Sequence, residues 1–240
     1  MEDSKTKVNE FDKYAINYRN VHNENIKFSG MDSDFFSEYK VKIVLENELA
    51  SKNENIKILD LGCGDGNSIR YFSEYFPNAN LIGLDVSSES IKNAIQKKIS
   101  NSTFSVYNGS TIPYSSESFD IVFLAGVIHH IPINDRLNLI KETYRILKKN
   151  GRLYIFEHNP YNPITNKIVR DCIFDADAIL ISPTRLKRLL IKNGYIIERI
   201  NFTIFFPRNK LFTYILKLES KLFWLPIGGQ YFIKSNKNNW

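Results

Sequence analysis

Cysteine is nearly absent from this chain. Cys63 and Cys172 are the only two in 240 residues, far apart and without CxxC or Cys/His ligand spacing, which excludes a zinc-finger site and a disulfide framework. A reducing cytoplasm is the expected setting. No stretch reaches the roughly 18 apolar residues that a membrane span needs. The nearest one, "LFTYILKLESKLFWLPIGG", is interrupted by Lys217, Glu219 and Lys221, so it can lie on a surface but not cross one. The start, "MEDSKTKVNEF", has no apolar core of signal-peptide length. Clustered basic and aromatic residues are lacking too: the net charge of +6 is spread over lysines among Asn and Glu, and no nucleic-acid partner is expected.

What the chain does contain is a regular alternation. From Ile56 onward, short apolar strands ("KILDLG", "LIGLDV", "TFSVYN", "FDIVFLAG", "GRLYIFEH") alternate with amphipathic helical segments, the pattern of a doubly wound α/β sheet. Ser88, Asn134 and Ser182 with Pro183 are the expected helix starts. Asn150-Gly151 and Asn193-Gly194 are the expected stops. After Gly194 come "YIIERINFTIFF" and "GGQYFIKS", two strands that close a sheet around an insertion in which Leu211, Ile215, Leu218 and Leu222 share one helical face. Before the core, "FFSEYKVKIVLENELA" carries Phe35, Tyr39, Ile43 and Leu49 near helical spacing. The expectation is one domain: a helical cap over 1–51, an α/β core over 52–206, and a helical insertion with the closing strand over 207–240.

The segment "ILDLGCGDGN" places Gly62, Gly64 and Gly66 after a strand, with Asp60 before them and Asp65 among them. A strand that enters a glycine turn and then a helix presents backbone N–H groups at the carboxyl edge of the sheet, where ligands of open α/β folds bind. The spacing is G-x-G-x-G rather than the G-x-G-x-x-G of dinucleotide sites, and two extra acids suit a cationic ligand better than a pyrophosphate. Asp85, at the end of the second strand, stands where an acid accepts both ribose hydroxyls. An adenosine with a positively charged tail and no phosphate meets these demands together.

The ordered blocks "ILDLGCGDG", "GLDVS", "NGSTIPYSSESFDIVFLAGVIHHI" and "ILKKNGRLYIFEH" resemble the class I methyltransferases that use S-adenosylmethionine and release S-adenosylhomocysteine. The resemblance implies a seven-stranded, mostly parallel sheet whose last strand is antiparallel. It assigns Gly62 and Gly64 to backbone contacts with the cofactor, Asp85 to the ribose, and Asp60 to the loop or the cofactor's amino group. Asn108 and Gly109 would frame the adenine, Val86 would pack on its face, and Ala125 would approach the methionine end. Phe119 and Asp120 are expected to anchor the fourth strand. Asn108 stands where the family often has an acid.

On the acceptor side, His129 and His130 follow the fourth strand, and His158 ends the fifth. All three are candidate catalytic bases for a hydroxyl acceptor. A metal is not expected, because adjacent His129 and His130 do not easily face one ion. The polar run "EHNPYN" suggests acceptor recognition by Glu157 and Asn159. The segment through "ILISP" resembles bacterial methyltransferases of surface-polysaccharide and secondary-metabolite pathways, and suggests Arg170, Asp175 and Asp177 as pocket candidates. Tyr18 and Tyr39 would fold over the cofactor. The leading expectation is a methyltransferase acting on a small molecule, a sugar or sugar-nucleotide hydroxyl. The alternatives are a quinone or lipid-precursor methyltransferase, with the 210–225 segment as a peripheral membrane contact, and a non-catalytic cofactor-binding regulator.

Overall fold

A computed structural model describes residues 32–172, 175, 177–207 and 218–238. Seven strands form one sheet: β1 (Lys57–Leu61), β2 (Asn80–Asp85), β3 (Ser102–Val106), β4 (Phe119–Ala125), β5 (Leu147–His158), β6 (Tyr195–Thr203) and β7 (Gln230–Lys237). Their order is β3-β2-β1-β4-β5-β7-β6. β1 to β5 run parallel, whereas β7 pairs antiparallel with both β5 and β6. The helices are α1 (Ser33–Asn47), α2 (Asn67–Tyr75), α3 (Ser88–Gln96), α4 (Arg136–Ile146), α5 (Pro163–Asp171), α6 (Pro183–Lys192) and the short α7 (Glu219–Leu222).

The inner strands are buried on both faces, which is why they read as continuous apolar runs rather than alternating ones. Leu59, Leu61, Val122, Leu124, Leu153 and Ile155 pack into one core with Leu139, Ile140, Leu186 and Leu190 of α4 and α6. Ile58, Ile121, Phe123, Tyr154 and Phe156 pack into a second core with Val41 and Val44 of α1 and Ile69 and Phe72 of α2. Because side chains alternate along a strand, Asp60, Ala125 and His158 lie on this second face, at the carboxyl ends of β1, β4 and β5. A buried acid, Glu48, ties the end of α1 to the sheet. It accepts from Tyr154 Oη at 2.5 Å and pairs with Arg152 at 2.9 Å and Lys234 at 3.2 Å.

Several expected boundaries move. The α3 N-cap is Ser87, whose hydroxyl accepts from Ser90 N at 3.1 Å, one residue before the expected Ser88. α4 begins after Asp135 without a side-chain cap, not after Asn134. It ends at Ile146 rather than at Asn150-Gly151, because β5 takes over at Leu147 and Asn150 sits inside that strand at φ +59°. Ser182 caps α6 with Pro183 in its first turn, and Gly194 follows it at φ +90°, as expected. The buried stripe of α1 is Val41 and Val44, while Leu49 is 64% exposed. Of the expected Phe35, Tyr39, Ile43 and Leu49, Ile43 packs partly buried against the core, and Leu49 lies beyond the helix end. In the insertion, Leu211 and Ile215 lie outside the described residues, and Leu218 is exposed, so the single core-covering face is not seen at its described end.

Candidate active site

The glycine loop turns between β1 and α2 with Gly62, Gly64 and Gly66 at φ +81°, +52° and +78°, a region that L side chains avoid. Their roles differ. A Cβ on Gly62 would stand 2.5 Å from Val127 Cγ2, and the Gly62 N–H donates to Leu84 O at 2.7 Å. The Gly62 N–H is thus engaged within the protein and its Cα packs on Val127. Among the described residues, a Cβ on Gly64 would meet nothing within 4 Å. Asp65 is held in a 2.8 Å ion pair with Lys97.

Asp85 ends β2 with both carboxylate oxygens turned to the loop: Oδ2 accepts from Gly64 N at 2.8 Å and Oδ1 from Ser87 N at 2.9 Å. A carboxylate in this position is the group expected to accept ribose hydroxyls. Asp60 is 2% exposed, and among the described residues its Oδ2 has no hydrogen-bond partner. Burial, together with the nearby Asp85 charge, pushes its carboxyl up to about 8. A buried carboxylate lacking a donor is costly, and a ligand ammonium would relieve that cost. Gly109, at φ +77°, lets the chain pass against Val86, where a Cβ would stand 3.3 Å from Val86 Cγ1. The exposed Asn108 uses its oxygen in a local turn, accepting from Ser110 N and Thr111 N at 2.9 Å. Its amide N–H groups, not its oxygen, are left for adenine. Ala125 closes β4, and Asp120 anchors it, accepting from Lys57 N at 2.8 Å and Lys148 Nζ at 2.7 Å. These groups fit an adenosine with a cationic tail.

Sequence reasoning missed Lys40. This half-buried amine on α1 is coupled to Asp60 and Glu157, and burial lowers it to about 8. No pattern revealed it, since α1 read as facing inward through other positions. Tyr18 lies outside the described residues, and Tyr39 stacks on Phe35 with ring centroids 5.7 Å apart.

The three acceptor-side histidines do converge, with ring centroids 4.2 Å apart for His129 and His130 and 5.1 Å apart for His129 and His158. Glu157 is buried beneath them. Its Oε1 accepts from Ile128 N at 2.7 Å, and its Oε2 meets His129 Nδ1 at 2.5 Å. Burial opposes charge on His129, but the carboxylates of Glu157 and Asp175 outweigh it and push the ring up to about 9. Burial and the charge on His129 hold His130 down to about 4 and His158 to about 3. Burial also opposes charge on Asp175, yet the histidines hold it down to about 2. Adjacent in sequence, His129 and His130 nevertheless face one group: their Nε2 atoms lie 3.5 and 3.4 Å from the same Asp175 oxygen.

Two expected recognition residues are structural instead. Glu157 is consumed by Ile128 and His129. The amide of the fully buried Asn159 donates to Pro226 O and Gly228 O at 3.0 and 2.7 Å, and its oxygen accepts from Tyr161 N. Asn162 caps α5 and donates to Ile227 O at 2.6 Å. Arg170 is 75% exposed, 3.7 Å from Asp171, and is not brought to the site. These bonds press residues 226–228 against the end of β5. On the segments that follow β5 and precede β7, Tyr161, Ile164, Trp224 and Ile227 are 52%, 61%, 65% and 58% exposed.

This architecture defines an open α/β protein that holds a nucleoside with a cationic tail at the carboxyl edge of its sheet. Residues 59–155 match the family described as a methyltransferase domain. The chain is 31% identical over 174 residues to a demethylmenaquinone methyltransferase of Lactobacillus johnsonii, covering 60% of this chain and 70% of that protein. It is 31% identical over 152 residues to the demethylmenaquinone methyltransferase of Thermotoga maritima, covering 63% of this chain and 61% of that one, less than two thirds of its length. The crystal structure of another S-adenosylmethionine-dependent methyltransferase of Thermotoga maritima superposes with a TM-score of 0.67 at 18% identity, covering 95% and 98% of the two chains. The chain belongs to the class I S-adenosylmethionine-dependent methyltransferases. Among its described residues, no helix is long and apolar enough to cross a membrane.

Proposed function

We propose that this protein methylates a small molecule with an apolar body and a reactive oxygenated ring, of the quinol or lipid-precursor class. The observation that carries this reading is the set of exposed apolar side chains Tyr161, Ile164, Trp224 and Ile227, on the segments that follow β5 and precede β7 and are joined by the Asn162–Ile227 bond. The names of the similar quinone methyltransferases agree with it. A sugar hydroxyl has less support, since the polar groups of "EHNPYN" on which it rested are bonded within the protein.

When bound, S-adenosylmethionine supplies a methyl group on a cationic sulfur. The chain holds it through Asp60 at the amino group, Asp85 at the ribose, the Gly64 cradle, and the Val86–Gly109 slot with the Asn108 amide at the adenine. Ala125 leaves room at the methionine end. His158, on the same face as Asp60 and Ala125, is the side chain placed to take a proton from the acceptor hydroxyl, while the Glu157–His129 pair fixes the wall beside it. Catalysis then rests on alignment of donor and acceptor in a dry pocket.

The test is a substrate screen with purified full chain and S-adenosylmethionine, following the formation of S-adenosylhomocysteine. Turnover on a prenylated 1,4-naphthoquinol is expected, and His158→Ala should lower it by about a hundredfold with cofactor affinity kept. Turnover on nucleotide sugars with none on the naphthoquinol would overturn the acceptor assignment. Thermal stabilisation by NAD but not by S-adenosylhomocysteine would overturn the cofactor.

A further inference from the structure

The arrangement of His129, His130 and Asp175 is unusual as hydrogen bonding but regular as coordination. His129 Nε2 and His130 Nε2 stand 3.5 and 3.4 Å from Asp175 Oδ1, and one donor atom from each residue lies within 4.8 Å of the others. For N–H···O bonds these distances are poor, since good ones cluster near 2.9 Å. For three ligands of one tetrahedral ion they are the expected separation: metal–ligand bonds of about 2.0–2.1 Å at tetrahedral angles set ligand atoms roughly 3.3–3.4 Å apart. Two imidazole nitrogens in the set favour zinc over magnesium, which takes oxygen ligands.

The chemistry of the donors agrees. Glu157 Oε2 engages His129 Nδ1 at 2.5 Å and is itself fixed by Ile128 N. That bond leaves the Nε2 lone pair of a neutral His129 directed at Asp175, the carboxylate–histidine relation found behind metal-bound imidazoles. Two acids, Glu157 and Asp175, are packed against one another's histidine with the Glu157 side chain wholly buried. Two nitrogens and one oxygen are a zinc-type set with a fourth position open.

We propose that His129, His130 and Asp175 form a site for one zinc-class divalent cation, with Glu157 as the positioning residue behind His129 and the fourth position open to water or an acceptor oxygen. The site does not depend on which acceptor the protein uses. The ion would draw the turn after β4 and the segment after α5 together.

The test uses the full chain, stripped with chelator, dialysed, and titrated calorimetrically with zinc chloride and with magnesium chloride. One zinc per chain and no comparable magnesium binding are expected. His130→Ala and Asp175→Asn should each weaken zinc at least tenfold, and Glu157→Gln should weaken it tenfold to a hundredfold. Arg170→Ala, which changes an exposed side chain outside the site, should leave it unchanged. Cobalt(II) in place of zinc should give the intense visible bands of a four-coordinate ion, a readout that needs no variant to fold. No zinc bound by the folded wild-type chain, equal affinity in folded His130→Ala and Asp175→Asn, or an octahedral cobalt spectrum would each overturn the site and leave an imidazolium held between two acids. None of these outcomes bears on turnover, so the methyltransferase reading fails or stands separately.

Discussion

Asp60 shows how a single residue can be set against the stability of the protein that carries it. Its folded pKa of about 8 lies above the 3.8 of an ordinary Asp, raised by burial and by Asp85 and lowered in part by Lys40. The folded state therefore holds this proton more tightly than the unfolded one. The favourable contribution is complete below pH 4 and is lost as pH rises toward 8, by roughly 1.4 kcal/mol per pH unit in that window. Asp60→Asn carries no charge to bury. Its melting temperature should exceed that of the wild type by a margin that widens from pH 5 to pH 8 and then levels, while its affinity for S-adenosylmethionine falls. A margin independent of pH in thermal melts would remove this account. Asp60 and Asp85 could be found from sequence because each stands at a strand end beside a contiguous loop. Lys40 could not be found: it reaches the site from a separate helix, and nothing local distinguishes it from a solvated lysine. Glu157 and Asn159 misled for the opposite reason. Their polarity is real, but Asn159 spends it on carbonyls 67 and 69 positions away, and local reading cannot see such partners.

Among the elements, the β1–α2 turn makes two glycines of one motif separable. Gly62→Ala would drive a Cβ to 2.5 Å from the Val127 side chain at φ +81°, so stability should drop by about 1–3 kcal/mol. Gly64→Ala meets no atom within 4 Å. It should cost about 1–2 kcal/mol for its left-handed backbone, and its methyl would enter the space assigned to the cofactor. Calorimetry on Gly64→Ala should show at least a tenfold loss of S-adenosylmethionine affinity. Affinity at the wild-type level would mean that the cradle lies elsewhere. The strands themselves were the most legible elements, because burial on both faces leaves an uninterrupted apolar run of strand length. Helix ends were less so: α4 stops at Ile146, where pairing of Leu147 with Phe119 begins the next strand, a tertiary event ahead of the local stop signal.

For the molecule as a whole, the exposed apolar side chains imply a working place. Trp224, Ile164 and Ile227 leave much of their surface in water on the segments that follow β5 and precede β7, and a patch of such side chains marks an interaction surface. Purified protein should co-sediment with vesicles containing anionic lipid, and the double variant Trp224→Ser, Ile227→Ser should reduce the bound fraction at least threefold while cofactor binding is unchanged. Equal sedimentation of both proteins would detach these side chains from any membrane role. The sheet order has a different consequence, which concerns synthesis. β7 is made after β6 yet lies between β5 and β6, so a growing chain that has already emitted β6 still has two strand edges with no neighbour. A message that stops translation between Thr203 and Gln230 would release a polypeptide with its cofactor loop intact and those two edges open. Such a product is suited to pairing with its own copies, and the cell would meet it as an aggregate rather than as a weakened enzyme.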